Sequence, residues 1–418
     1  MSAPSSLTLP LWKELAEQYP EWPVLQAYLE SEEGGFLRIS DQTEELAMIR
    51  YDKATSRLEI PHVRWFRSVV WDKVRNVPVS VAPPKATAEP FPYASRAAAR
   101  EAGIVWEEYV DGFMIQCFRR VGDPVLHLTS RSSLDASGTF YSPIPFRELC
   151  LEAVAVMGWN LEEKVREPDE AKGEVSVGLS LVVQHPAHHR VTPVTVPWVG
   201  CVHSTVTDVS GVVHLQNEFP SWQEADETEE GDETGGVGGG LRPPEAEDSV
   251  ASWIRSIHHS RPWSFRGLVA KDATGQRWRF PSEKYTAVRS LRGNEVRPID
   301  RYARLITQNL GTIYLEYFPE DIQVFSLFTV FMNDIVQTLH EWYLSLFIHK
   351  RVTWADVPVV YRSHLYAIHG LYLSQLRAVQ RWVTTHDIRL YLTQQPAQRI
   401  VFMIRAHQEK YHSLPSAT

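Results

Sequence analysis

EYVDGFMIQCF, Glu108–Phe118, is the stretch on which the reading of this chain turns. An Asp-Gly pair stands between two runs rich in β-branched and aromatic residues; those residues favour strands, while Asp and Gly favour the turn between them. Taken alone, Asp111–Gly112 reads as the two-residue turn of a β-hairpin. The same texture spreads outward on both sides. SVVWD, VPVSVA, VLHLTS, VSVGLSLVVQHP, VTPVTVPWVGCVHSTV and GVVHLQ are short and apolar, and Pro, Gly, Asn and Asp separate them. Strands and turns are therefore expected from about residue 35 to 215. One helix interrupts them at Phe146–Gly158, FRELCLEAVAVMG, and strand texture returns in SFRGLVAKD and QRWRFPSEKY.

The flanks differ. Residues 7–32 read as an amphipathic helix broken near Pro20 and Pro23, with Leu11, Leu15, Leu25 and Tyr28 on its apolar side. From about 298 onward the period is helical, and EDIQVFSLFTVFMNDIVQTLHEWYLSLFIHK is apolar on nearly every face over its middle. That pattern marks a central helix of a bundle, with Phe325, Phe328, Phe331, Trp342, Tyr343 and Phe347 in its core. Residues 222–249 are acidic and Gly-rich; they lack the apolar surface that would repay ordering and read as a flexible insertion. The expected class is α+β: an N-terminal helical segment (1–34), a twisted antiparallel-sheet domain (35–295) and an all-helical domain (296–418).

The net charge of −9 argues against a protein that coats nucleic acid indiscriminately. The charge is unevenly spread, because Glu224–Glu233 alone holds seven acids and no base, so a local basic groove remains compatible with the total. Cys117, Cys150 and Cys201 form no CxxC spacing, and such an odd, sparse set fits a reducing compartment. The N-terminus lacks a basic region followed by a long apolar run, and no stretch of ~18 uninterrupted apolar residues occurs. An intracellular, cytoplasmic protein without a membrane span is expected.

Further stretches follow in a fixed order. FRSVVWD (Phe66–Asp72) precedes VAPPKA (Val81–Ala86), then EYVDGFMIQCF, LTSRSS (Leu128–Ser133), LVVQHPAHHRV (Leu181–Val191), RGLVAKD (Arg266–Asp272) and QRWRFPSEKYTAVRSLRGN (Gln276–Asn294). As an ordered set over roughly residues 60–295 they resemble the nucleotidyltransferase, ATP-grasp-like core of phage-type RNA ligases, and most of all the divergent RNA-ligase-like proteins of large nucleocytoplasmic DNA viruses. The resemblance implies a covalent chemistry in which a lysine amine attacks the α-phosphate of ATP beside Mg²⁺. That lysine stands two residues before the Asp-Gly pair in the family. Here the position is Tyr109, followed by Val110, Asp111 and Gly112.

By the same resemblance, Arg67, Lys85, Arg131, Arg190, Gly267 and Arg279 fall at nucleotide- or phosphate-binding positions. Val182 or Val183 stands where an acid is expected, Arg266 replaces a glutamate before Gly267, and Pro281 replaces the second lysine of the last motif. Losing the nucleophile, two metal-directed acids and one phosphate-binding lysine together implies lost adenylation, with the cleft kept for nucleotide or RNA. Two alternatives stand beside this. One is an active ATP-dependent RNA ligase using Tyr109 or a rearranged Lys85, although a phenol near its ordinary pKa of ~10 is a poor nucleophile. The other is a viral assembly protein whose helical domain offers the working surface to a protein partner.

His185, His188, His189 and His203 match no zinc-finger spacing and have no accompanying cysteine pair, so no metal site is expected. His258–His259 read as linker. The basic stretch Arg277, Arg279, Lys284, Arg289, Arg292 and Arg297, interleaved with Trp278, Phe280 and Tyr285, reads either as a phosphate-tracking surface or as an ordinary solvated strand pair.

Overall fold

A computed structural model describes residues 6–188, 190–219 and 249–412. The expected insertion at 222–249 and His189 lie outside the described residues, Ser249 excepted. The chain divides into two compact units, Met1–Ala287 and Val288–Thr418. The division falls eight residues before the 295/296 boundary expected from the sequence.

The strands of the first unit are β1 Ser6–Leu9, β2 Arg38–Gln42, β3 Leu46–Arg50, β4 Val69–Asp72, β5 Val77–Val81, β6 Val105–Glu108, β7 Phe113–Arg120, β8 Asp123–Thr129, β9 Glu174–Gln184, β10 Trp198–Asp208, β11 Val213–Asn217, β12 Gly267–Lys271 and β13 Arg277–Pro281. They form three antiparallel sheets, ordered β1-β11-β10-β9-β7-β8, β2-β3-β4-β5 and β13-β12-β6. The helices of this unit are α1 Leu11–Gln18, α2 Trp22–Glu30, α3 Arg96–Glu101, α4 Phe146–Val156, α5 Leu161–Lys164, α6 Val250–Ser260 and α7 Glu283–Arg292, the last crossing the division between units. The molecule is thus α+β, with antiparallel sheets followed by a helical region.

The four- and six-stranded sheets pack through an apolar layer that includes Met48, Val70, Val79, Phe118 and Val175. Buried polar groups pin one sheet to the other. Ser80 Oγ donates to Gln116 Oε1 at 2.8 Å, and Gln116 Nε2 donates to Ser68 Oγ at 2.7 Å. His203 Nε2–H donates to the Val81 carbonyl at 2.8 Å, and burial holds this imidazole neutral by pushing its pKa down to about 3. Since buried polar groups are costly unless paired, these bonds specify one register between the sheets.

Several elements depart from expectation, among them α7, a helix from Glu283 where the strand texture of QRWRFPSEKY runs on to Tyr285. Residues 6–9 are a strand paired with β11, not the start of a helix, and the helical reading of 7–32 resolves into α1 and α2 on either side of Pro20. The outermost strand of a sheet wins over local helical periodicity because Leu7 and Leu9 pack with the Trp12, Trp65 and Trp71 core. His258 and His259, read as linker, lie in the last turn of α6, whose other face buries Val250, Trp253 and Ile254.

The second unit holds α8 Pro298–Thr307, α9 Gly311–Tyr317, α10 Ile322–Tyr343, α11 Val359–Leu371, α12 Thr385–Thr393 and α13 Ala397–His412. The central α10 buries Phe325, Phe328, Met332, Ile335, Val336, Leu339 and Tyr343 and packs against α8, α11, α12 and α13. Together with its flanking turns, Pro319–Ile348 is long and apolar enough to cross a membrane. Both α10 and α11 run on into π-helical turns, Leu344–Ile348 and Tyr372–Leu376.

Candidate functional site

Tyr109 follows β6 directly, and the chain then crosses from the three-stranded sheet to β7 of the six-stranded one. Asp111–Gly112 is therefore not the hairpin turn that the dipeptide alone suggests: β6 pairs with β12, and β7 with β8 and β9. An aromatic cluster dictates that choice. Trp106 of β6 packs on Phe91, Trp253 and Phe280, with ring centroids 4.8–5.4 Å apart, and buries its area on the three-stranded sheet.

Two glycines permit the crossing. A Cβ on Gly112 would stand 2.4 Å from the Val183 carbonyl oxygen, so only glycine lets the crossing strand lie against β9. Gly267, at φ +131°, would place a Cβ 2.0 Å from the Phe280 oxygen. Its own carbonyl accepts the Tyr109 N–H at 2.8 Å, which fixes where the phenol begins.

The phenol ends in a nest of arginines. Arg266 Nη2 donates to Tyr109 Oη at 2.9 Å and Arg279 Nη1 at 3.1 Å. The Arg266 guanidinium also lies over the Tyr109 ring, 3.8 Å from its centroid, and Nη1 donates to the Val110 carbonyl at 2.8 Å. Burial would raise the phenol, but the positive charges of Arg266, Arg279 and Arg67 outweigh it and hold its pKa below the ordinary tyrosine value. The Asp111 carboxylate is fully engaged: Oδ2 accepts the N–H groups of Val191 and Thr192 at 3.1 and 3.2 Å, and Oδ1 lies 3.5 Å from Arg266 Nη1.

Beside this nest is a cavity of about 120 Å³. Arg67, Arg277, Arg266, Glu107, Glu108 and Tyr109 form its polar wall, while Met114, Val182, Val202 and Phe219 are among the apolar residues opposite. Arg67 is enclosed by protein except toward the cavity, and among the described residues no hydrogen bond or ion pair reaches its guanidinium. Burial, followed by repulsion from Arg277, pushes its pKa down to about 10. Arg277 is itself half-buried and depressed below its ordinary value, chiefly by desolvation. Its Nε has no hydrogen-bond partner among the described residues, and its Nη1 reaches only the Pro84 carbonyl, at 3.5 Å.

The carboxylate wall is less negative than its residue types suggest. Glu107 Oε1 lies 2.6 Å from Lys271 Nζ, and both side chains are almost entirely buried. Lys271 also donates to Asn217 Oδ1 at 2.8 Å. Desolvation and then Arg277 push its pKa down to about 8, against the pull of Glu107. Glu108 is raised by burial.

Of the residues picked from the sequence, the structure brings Arg67, Tyr109 and Gly112 onto the cavity. Arg279 and Asp111 join them through Tyr109 and Arg266. Gly267 acts through its backbone. Arg131 sits one step back, its Nε donating to the Arg67 carbonyl at 3.3 Å and its guanidinium over Tyr51. Lys85 and Arg190 are not among the lining residues of this cavity. Arg277 lines it instead, because β13 alternates: Arg277 and Arg279 face one way, Trp278 and Phe280 the other. Of Val182 and Val183, either of which stands where an acid is expected, Val182 lines the cavity.

No protein-family model and no curated protein matches the sequence. The histidines considered for zinc are separated by their own contacts: His185 lies 3.2 Å from Glu152, His203 is bonded between the sheets, and His188 sits among Phe113, Tyr141 and Phe146. Among the described residues no group of three or more His, Cys, Asp or Glu is placed to hold a metal ion.

Proposed function

We propose that the cavity beside Tyr109 holds the phosphate of a nucleotide or of RNA, in an RNA-ligase-like nucleotidyltransferase core that has lost adenylyl transfer. The observation that carries this reading is the Arg67 guanidinium, half-buried, facing the cavity and without a partner among the described residues. A buried charge without a counter-charge costs the fold several kcal/mol at the order-of-magnitude level, and an anion entering the cavity offsets that cost. Arg277 adds a second, half-buried cation on the same wall. Guanidinium groups bind phosphate oxygens in pairs of parallel hydrogen bonds, which a metal ion is not needed to mediate.

Two of the carboxylates support a metal-independent mode. Glu107 is tied to Lys271, and Asp111 to two backbone N–H groups and Arg266, so neither has a free oxygen pair for Mg²⁺. A cavity of about 120 Å³ is well below the ~300–1,000 Å³ of sites that enclose a whole drug-sized ligand. It suits a phosphoryl group whose nucleoside extends outward.

A second reading, transfer through Tyr109, draws on the lowered phenol pKa. The same two hydrogen bonds that stabilise the phenolate occupy its lone pairs, however, and blunt it as a nucleophile. Incubation with ATP labelled at the α-phosphate, with Mg²⁺ or Mn²⁺, followed by denaturing electrophoresis, is expected to leave the protein unlabelled. A labelled band that disappears in Tyr109→Phe would assign transfer to the phenol and overturn the loss of chemistry.

A further inference from the structure

The C-terminal ends of α10 and α11 meet through a ladder of parallel rings. Phe347, in the π-helical turn after α10, stacks on His369 of α11 with centroids 3.9 Å apart and planes 6° from parallel. His369 stacks on Tyr372 at 5.9 Å and 24°, and Tyr372 on Trp382 at 6.4 Å and 9°. The ladder ends on an indole that is 66% exposed. Two rungs sit on π-helical turns, Leu344–Ile348 and Tyr372–Leu376, a local geometry that recurs at functional sites.

The charge around the ladder is opposite in sign to that of the whole chain. From Leu344 to His386 there are five Lys and Arg residues and one acid, Asp356, in a protein of net charge −9. Asp356 accepts hydrogen bonds from Thr353 N and Oγ1 at 2.7 and 2.8 Å. Arg362 is committed to the carbonyls of Val357 and Ala355. The remaining four cations are exposed: Lys350 and Arg351 directly after the turn that carries Phe347, and Arg377 and Arg381 just before Trp382. Of these, Lys350, Arg351 and Arg377 have no side-chain hydrogen bond or ion pair among the described residues, and Arg381 lies 3.5 Å from Asp387.

We infer that this surface of the helical unit binds single-stranded nucleic acid. A base continues the ring ladder on the open face of Trp382, and the neighbouring cations take the phosphates. Stacking platforms flanked by cations are how single strands are held without sequence reading, because every base has a flat face. An acidic peptide would use the cations but leave the indole without a matching partner.

The test is fluorescence anisotropy of a short labelled oligouridylate with the full chain at low salt. Trp382→Ala is expected to weaken binding about tenfold, within the range found for removing one stacking aromatic, and Trp382→Phe to keep most of the affinity. Because Trp382 is largely exposed, thermal unfolding of both variants should match the parent. Replacing Arg377 and Arg381 by Gln together should reduce the slope of log affinity against log salt by about 1.4, two single-strand phosphate contacts at ~0.7 each. The inference is overturned if the parent does not bind, if Trp382→Ala binds as well as the parent, or if polyglutamate displaces the oligonucleotide as effectively as unlabelled oligouridylate does.

Discussion

Replacing Arg67 by methionine is expected to weaken ATP binding by tenfold to a hundredfold while making the unliganded protein more stable. The two effects have one cause. The guanidinium stands half-buried on the cavity wall and without a partner among the described residues, beside Arg277, and its pKa is pushed down to about 10. Against an ordinary value of ~12.5, that displacement corresponds to about 3 kcal/mol of unfavourable charging at neutral pH. A base depressed by folding imposes that cost at every pH below its folded pKa, and the cost fades only as pH rises from there toward the unfolded value. Methionine fills the space of the arginine stem without the charge, so chemical denaturation at pH 7 should show a gain of about 1–3 kcal/mol once lost packing is subtracted. Binding moves the other way because a charge-assisted hydrogen bond contributes about 1.5–3 kcal/mol. A loss of stability together with unchanged ATP affinity would mean that Arg67 is an ordinary structural residue. Functional sites are often held at the expense of stability, and this residue is where that trade should be measurable.

Glu107→Ala is expected to destabilise the protein by about 3–5 kcal/mol, the cost of breaking a buried ion pair by removing one partner. Glu107 and Lys271 are 2.6 Å apart and almost wholly enclosed, and Arg277 already repels the ammonium. Without the carboxylate, Lys271 keeps only Asn217 and loses its proton in the folded state. The pH dependence separates this from a packing defect. Lys271 titrates in the parent at about 8 and lower still in the variant, so between those values only the parent keeps the ammonium. Above pH 8 both hold a neutral amine, so the deficit should shrink by about 1 kcal/mol between pH 7 and pH 9. A deficit that stays constant over this range would assign the effect to lost packing instead.

Much of the architecture was legible in the residues. Most strand runs from SVVWD to GVVHLQ and the α4 helix lie where β-branched and turn residues place them; β4, β5 and most of β9 are buried along their length and stand out as continuous apolar runs rather than by alternation. Four helices of the first unit are not evident in the sequence: α3 and α5 are brief, α6 follows directly on the acidic insertion that dominates the local composition, and α7 continues the strand-like QRWRFPSEKY. The reading of Asp111–Gly112 as a hairpin failed for a different reason. A dipeptide reports the turn it permits, whereas the Trp106 cluster, assembled from residues 91, 106, 253 and 280, decides which sheet β6 joins.

The site was half legible. Tyr109, Arg67 and Gly112 were singled out and share the cavity. Arg266, taken only as a lost glutamate, proves to be the hub that bonds Tyr109 and Val110 and stacks on the phenol. The signal for Arg277 was present in RWRFP, where two arginines alternate with two aromatics, but its depth depends on β12 lying beside it. Nothing in the spacing of Glu107 and Lys271 foretold their pairing, which comes from the antiparallel register that sets Val269 opposite Glu107.

The most direct test of the central claim compares AMP with adenosine in equilibrium binding to the parent protein without divalent metal. If the cavity is a phosphate site, AMP binds at least tenfold more tightly, since one charge-assisted contact to Arg67 is worth that much. Equal affinity for the two, or binding of AMP that appears only with Mg²⁺, would contradict a metal-independent arginine site and remove the basis for reading the core as a retained phosphate-binding fold.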